Sequence, residues 1–219
     1  PEVSVVPVPT QKYTRVVEPP PEPECTFDPS DLIGPAGRIV TASGALTPIV
    51  SPDGGFVAYR ISECDAPSTV GLTALGRAEN YQIVPDEQSE TDSVPLAWMP
   101  DSKSLLVSLA GSYEIVSAPL GEDRRPLELP EGTYRAVFTR TGEVVVAYPL
   151  DGGEMVAAVD VASGDLRELF DAPLGRVMSL SYDGASDAVL VTSETERGAL
   201  LQWVRADASE RTTVAEIDG

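Results

Sequence analysis

The chain contains no histidine and only two cysteines, Cys25 and Cys64, among its 219 residues. Without histidine it cannot form a Ser-His-Asp or Cys-His catalytic arrangement, a histidine-containing zinc site or a histidine switch near neutral pH. A Gly-x-Ser-x-Gly nucleophile elbow is also missing. Catalysis by two carboxylates stays open, but nothing singles out a pair. We therefore predict no catalytic residues, no enzymatic activity and no cofactor.

Positive charge is scarce as well. The chain has 15 basic residues against 35 acidic residues, a net charge of −20 and a pI near 4.1. Phosphate backbones and anionic membrane surfaces repel such a protein, so nucleic acid is excluded as a partner. No apolar run reaches the roughly 18 residues of a membrane span, so we predict no membrane insertion by this chain. An anchor upstream of Pro1 stays open.

Residues 1–36 differ in composition from the rest. Segments such as PEVSVVPVPT and VVEPPPEPECTFDP are rich in Pro and Glu, which favours extended, solvated backbone. We predict a linker or stalk over 1–36 and a β domain over 37–219. From Gly37 onward no stretch keeps apolar residues at helical spacing for three turns. Short apolar and β-branched runs bounded by Gly, Pro, Asp and Ser recur instead, which indicates an all-β fold.

A repeat organises these strands. PIVSPDGGFVAYRIS aligns with LAWMPDSKSLLVSLA, then with AVFTRTGEVVVAYPL, then with SLSYDGASDAVLVTS. Successive units lie roughly 40 to 48 residues apart, a period typical of propeller blades. Each unit continues with a third strand and a more polar fourth strand. The pattern predicts about four four-stranded blades over residues 45–219, with a stray strand, GRIVTASG, ahead of them.

The turn inside each unit has its own chemistry. Asp and Pro favour the turn, and Gly accepts a positive φ. We assign a structural role in these turns to Ser51, Pro52, Asp53, Gly54, Pro100, Asp101, Gly142, Asp183 and Gly184. The alternative, a repeated carboxylate set for calcium, lacks the spacing of a calcium loop. No metal site is predicted. Two further residues have two open interpretations: Trp98 and Trp203 are either core or binding anchors.

The repeat resembles that of the TolB-type β-propellers, whose turn reads Trp/Phe-Ser-Pro-Asp-Gly before an apolar strand. Ser51 to Tyr59 matches closely, and Ala97 to Asp101 matches with one substitution. The third unit departs, with Thr-Arg-Thr-Gly in place of the motif. The resemblance implies a bacterial propeller of the cell envelope or a secreted one, often with six or more blades. Four blades imply a ring that is incomplete or closed by the N-terminal segment, for example by GRIVTASG or KYTRVV.

The resemblance also sets the functional expectation, which is an extracytoplasmic module that binds a protein partner or acts as a scaffold. Two alternatives stay open: the accessory propeller of a prolyl oligopeptidase-like hydrolase, and a sensor of a small ligand or glycan. Open blade edges would also allow self-association.

Because the implied compartment is oxidising, we predict a disulfide between Cys25 and Cys64. Closing this loop of about 40 residues would contribute about 4 kcal/mol in the chain-entropy model. The alternative is two buried, unpaired thiols in a cytoplasmic protein. Mass spectrometry of the unreduced protein, after alkylation, should find no free thiol. Two alkylated cysteines would contradict the bond.

Overall fold

In the residues that the structure describes, sixteen strands build four antiparallel sheets, and a separate hairpin precedes them. The computed structural model describes residues 29–34, 37–43, 45–63, 66–75, 79–83, 92–109, 111–119 and 121–218. The predicted disulfide at Cys25 and Cys64 lies outside these residues, as does the segment KYTRVV. Within these ranges every regular element is a strand, and no helix has the length and apolar character needed to cross a membrane.

The predicted fold class is confirmed: there are four blades, each of four antiparallel strands. Blade 1 contains β3 (Ala45–Val50), β4 (Phe56–Glu63), β5 (Ala66–Ala74) and β6 (Glu79–Ile83). Blade 2 contains β7 (Val94–Trp98), β8 (Ser104–Leu109), β9 (Ser112–Ser117) and β10 (Arg124–Pro126). Blade 3 contains β11 (Arg135–Phe138), β12 (Glu143–Leu150), β13 (Gly153–Asp160) and β14 (Leu166–Glu168). Blade 4 contains β15 (Val177–Asp183), β16 (Ala188–Thr195), β17 (Gly198–Arg205) and β18 (Arg211–Asp218).

The stray strand ahead of the blades forms a hairpin. Strand β2 (Gly37–Ser43), which contains most of GRIVTASG, pairs with β1 (Pro29–Gly34) in a two-stranded sheet. It therefore completes no blade in the described residues. The hairpin lies beside blade 1, with β1 near β3 and β2 near β4. Strand β1 begins inside the range predicted as linker, and the predicted boundary at residue 36 stays a prediction.

Stacked sheet faces form the core. In β12 of blade 3, Val144, Val145, Val146 and Ala147 are all fully buried, so both faces of the strand are covered. Strand β8 of blade 2 repeats this arrangement: Leu105 and Val107 pack toward blade 1, and Leu106 packs toward blade 3. Continuous apolar runs such as SLLVSL and EVVVAY therefore mark strands between two neighbouring blades. In blade 1, Gly71 leaves space for the Tyr59 ring, because a Cβ at Gly71 would lie 2.6 Å from that ring.

Polar contacts also join neighbouring blades. Between blades 1 and 2, Asp92 accepts hydrogen bonds from the backbone and hydroxyl of Ser68, both at 2.9 Å, and pairs with Arg60 at 2.6 Å. Between blades 3 and 4, the Glu154 carboxylate accepts hydrogen bonds from the Tyr134 hydroxyl and the Val177 amide. Burial and the neighbouring Glu154 carboxylate raise the pKa of Tyr134, so it stays a hydrogen-bond donor.

The inner strands follow one another as β3, β7, β11 and β15, each packed beside the next. In the described residues no packing of comparable extent joins β15 to β3. The exposure of these strands agrees with this: β7 is largely buried and β11 is partly buried, whereas most of β15 is exposed and Val50 of β3 is 58% exposed. In the part of the chain that the structure describes, the four blades thus form an open arc in which blades 1 and 4 each pack against one neighbouring blade.

Replacing Asp92 with asparagine should lower the free energy of unfolding by about 1 kcal/mol at neutral pH, because the charged contacts to Ser68 and Arg60 weaken. The hydrogen bonds from Ser68, followed by the charge of Arg60, hold the pKa of Asp92 below its ordinary value of 3.8. The contribution is therefore present above that value and is lost as the pH falls through the folded pKa. Urea unfolding at several pH values measures it.

Asp151→Asn, at an exposed turn, is the matched control, since it removes the same charge without these partners. If Asp92→Asn differed from wild type by the same amount at neutral pH and below the folded pKa, the charged contacts would not be the cause.

Candidate functional site

The turns between the first and second strands of the four blades meet at one end of the molecule. Residues from all four turns or their flanking strands line a single cavity of about 430 Å³. Two direct contacts connect neighbouring turns. The Asp53 amide of blade 1 donates to the Ser102 hydroxyl of blade 2 at 3.0 Å, and Arg140 of blade 3 packs against Gly184 of blade 4. We call this space the axis cavity.

The repeated aspartates bond inside their own turns. Asp53 accepts hydrogen bonds from the Ser51 hydroxyl at 2.7 Å and the Gly55 amide at 2.8 Å. Asp101 accepts from the amides of Lys103 and Ser104 at 2.8 and 3.0 Å. In blade 4, Asp183 accepts from the Ala185 amide at 3.0 Å. These carboxylates organise the turn backbone.

Hydrogen bonds within the turns lower the pKa of two of these aspartates, Asp53 and Asp183. The Ser51 hydroxyl, followed by the Gly55 amide, holds the pKa of Asp53 below its ordinary value. The Ser186 hydroxyl does the same for the pKa of Asp183, with a smaller contribution from the Arg140 charge. Among the described residues no three carboxylates or thiols are grouped closely enough to hold a metal ion.

The third turn lacks an aspartate, as its sequence indicated. The Thr139 and Thr141 hydroxyls lie 2.8 Å apart, and the Glu143 amide donates to the Thr139 hydroxyl. Gly142 has φ +90°, a conformation that favours glycine. This turn leaves Arg140 exposed at the cavity.

The lining of the axis cavity is mainly apolar and aromatic. Its residues come from all four blades: Pro52, Trp98, Pro100, Val137, Phe138, Arg140, Tyr182 and Gly184. Arg140 is the one charged side chain among them. Gly184 makes room for it, because a Cβ there would lie 2.6 Å from the Arg140 Nε. A site of this kind can hold an apolar or aromatic group and pair with a carboxylate.

The two tryptophans have different environments. Trp98 is 7% exposed, stacks on Phe56 at 6.1 Å between ring centres and donates its indole hydrogen to the Ile49 carbonyl at 3.1 Å. It belongs to the core between blades 1 and 2 and also lines the cavity. Trp203 lies on the outer face of blade 4 and is half-buried.

Eight of the nine predicted turn residues lie in the first, second and fourth turns, and Gly142 lies in the third. Pro52, Pro100 and Gly184 line the cavity itself. Sequence analysis did not identify Arg140, Phe138 or Tyr182 as site residues. A signal for Arg140 existed, because it stands in the unit whose turn departs from the repeat.

No family model and no curated protein matches the chain. Among solved structures, TolB from Acinetobacter baumannii is 16% identical with a TM-score of 0.67, over 83% of this chain and 46% of that one. Putative TolB from Agrobacterium tumefaciens is 16% identical with a TM-score of 0.68, over 84% and 70%. A puromycin-hydrolyzing peptidase of Mycobacterium tuberculosis is 18% identical with a TM-score of 0.61, over 81% and 30%.

These similarities confirm the TolB-type resemblance at the level of fold. The chain spans less than half of the first of these structures and less than a third of the peptidase. Identities of this size carry the blade architecture and no activity. The chain therefore has a TolB-like β-propeller fold, and its function rests on its own residues.

Replacing Ser102 with alanine should lower the free energy of unfolding by about 1 kcal/mol, because the Asp53 amide loses its hydrogen-bond acceptor in the neighbouring blade. Ser209→Ala, in an exposed turn of blade 4, is the matched control and should change stability by less than about 0.5 kcal/mol. Urea denaturation measures both. Equal effects would show that the turns of blades 1 and 2 are not joined by this bond.

Proposed function

We propose that the chain is a non-enzymatic, extracytoplasmic propeller module of the cell envelope that binds a protein partner at the axis cavity. The observation that carries the proposal is the lining of that cavity, where aromatic rings and prolines from four blades surround one arginine. Aromatic residues and arginine are enriched at the centres of protein interfaces. The prolines add rigid apolar contact at little entropic cost, since their φ is already fixed.

Charge favours a partner segment with a carboxylate. The chain as a whole carries −20, so most of its surface repels acidic groups. Arg140 offers an exposed cation at the wall of a mainly apolar cavity, where it can pair with a carboxylate of the partner. An extended segment of the partner that carries an acidic residue beside an apolar or aromatic one fits this arrangement.

The absence of histidine from the whole sequence supports a binding role, because a nucleophile would lack the usual base. The TolB-like fold supports an envelope location as a proposal. The resemblance of the fold to a peptidase supports the second candidate, an accessory propeller of a hydrolase. A cavity of about 430 Å³ also has the size of a small-molecule site.

A photo-cross-linking residue at Val137, which lines the cavity, should capture a discrete envelope protein in cells of the source organism. Adding Arg140→Glu should reduce that product about tenfold, since it replaces the attractive charge with a repulsive one. The matched control is Arg125→Glu, an exposed arginine in β10 with the same change in net charge.

Equal capture by both variants would contradict a role for the cavity. If a pool of soluble sugars or metabolites abolished the cross-linked product, the alternative function as a sensor of a small ligand or glycan would be favoured. If the purified chain hydrolysed a peptide or ester from a test panel, and substitution of one acidic residue abolished that activity, the non-enzymatic proposal would be wrong.

A further inference from the structure

Arg140 is an exposed arginine at the axis cavity, and no carboxylate of the described residues lies within ion-pair distance of it. Other arginines in the same part of the chain do form ion pairs with Asp or Glu: Arg60, Arg124, Arg167, Arg205 and Arg211. Arg140 therefore has a positive charge that is available to a group from outside the chain.

The turn of blade 4 holds the Arg140 side chain in place. A Cβ at Gly184 would lie 2.6 Å from the Arg140 Nε and 2.8 Å from its Cζ, so the guanidinium rests directly on the glycine. Gly54 and Gly142 in other turns have φ of +71° and +90° and open space around them, whereas Gly184 has no φ in that range. Contact with the guanidinium is therefore what requires glycine at position 184.

The acidic residue of the same turn leaves the guanidinium free. The Asp183 carboxylate accepts hydrogen bonds from the Ala185 amide at 3.0 Å and from the Ser186 hydroxyl. The Ser186 hydroxyl is the main cause of the lowered pKa of Asp183, and the Arg140 charge contributes least. Asp183 thus bonds within its own turn, and the donors of Arg140 can bind a ligand.

The size of the axis cavity limits what can enter beside that cation. Its volume of about 430 Å³ is that of a small-ligand site. In an extended segment, neighbouring side chains point to opposite sides, so an acidic side chain and the apolar one next to it do not enter one cavity together. The last residue of a chain carries its side chain and a free carboxylate on the same Cα. It therefore brings both groups into one cavity.

We propose that the axis cavity binds the C-terminal residue of a partner protein, with the α-carboxylate paired to Arg140 and an apolar or aromatic side chain against the rings and prolines of the lining. This inference rests on the proposed function and names the part of the partner that is bound. Arginine pairs with a carboxylate through two parallel N–H donors, whereas a terminal amide has one acceptor and no charge. Capture of a C-terminal carboxylate is a recurring mode of peptide recognition.

Two N-acetylated peptides of sequence Ala-Ala-Phe test the proposal, one with a free terminal carboxylate and one with a terminal amide. Each is titrated into the isotope-labelled full chain, and NMR follows the Val137 amide at the cavity. The Gly152 amide, in the turn at the far end of β12, should not shift. The acid should bind about tenfold more tightly than the amide, because the amide lacks the charged partner of Arg140.

Substitutions connect that difference to Arg140. Arg140→Gln should lower the affinity for the acid to that for the amide and leave the affinity for the amide unchanged. Gly184→Ala should act in the same direction without a change in charge, because its methyl group displaces the guanidinium. Arg125→Gln, at an exposed arginine in β10, is the matched control and should bind both peptides like wild type.

Equal affinity for acid and amide, or an equal loss of both in Arg140→Gln, would overturn the proposal. If the cross-linked product at Val137 still depended on Arg140, the proposed function would stand, and an internal acidic residue of the partner would be the bound group.

N-acetylphenylalanine has the carboxylate and the ring without the preceding residues. It should bind more weakly than the acid peptide, because those residues contact the exposed Pro52 and Pro100 at the cavity. Equal binding would identify a small aromatic acid as the ligand and overturn the assignment to a chain end.

Discussion

Packing of one sheet face on another is the interaction on which this structure depends. A blade of four short strands has apolar side chains on both faces, and neither face can be buried by the blade alone. Strands β8 and β12 show the result, because neighbouring blades bury the central side chains on both of their faces. The position of each turn, and so of the axis cavity, follows from this stacking, since successive blades present the same turn at the same end.

Specialisation occurs where the repeat changes. In three turns an aspartate bonds the backbone and contributes little to the cavity surface. The third turn uses threonine hydroxyls for the same purpose, and its arginine is exposed at the cavity. The repeated turns thus maintain the scaffold, whereas the candidate binding residue Arg140 stands in the one turn whose sequence departs from the repeat. This division is common in repeat folds, where function depends on sites carried by a shared architecture.

Local patterns predicted the blades because turn chemistry and strand periodicity are properties of neighbouring residues. SPDGG and its three counterparts gave the number of blades and the order of strands. Side-chain partners across blades could not be predicted in this way. Trp98 and Trp203 both lie on apolar strands, yet Trp98 belongs to the core and Trp203 is half-buried on the outer face of blade 4. Only the stacking order distinguishes them, and it depends on contacts between distant residues.

The N-terminal region shows the same limit. The segment GRIVTASG reads correctly as a strand, but its partner is β1 and not the edge of a blade. Pairing choice depends on which edge is available in space, which sequence periodicity does not encode. Similarly, the apolar content of blade 4 resembles that of blades 2 and 3, although one of its faces lacks a neighbour in the described residues.

The most direct test of the stacking account is hydrogen exchange of the two tryptophan indole protons, which give separate signals in an NMR spectrum. The Trp98 indole is buried between blades 1 and 2 and donates to Ile49, so its exchange should require separation of the blades and be slow. The Trp203 indole, half-buried on the outer face of blade 4, should exchange orders of magnitude faster in dilute protein. Equally fast exchange of both indoles would contradict the interblade packing on which the account depends.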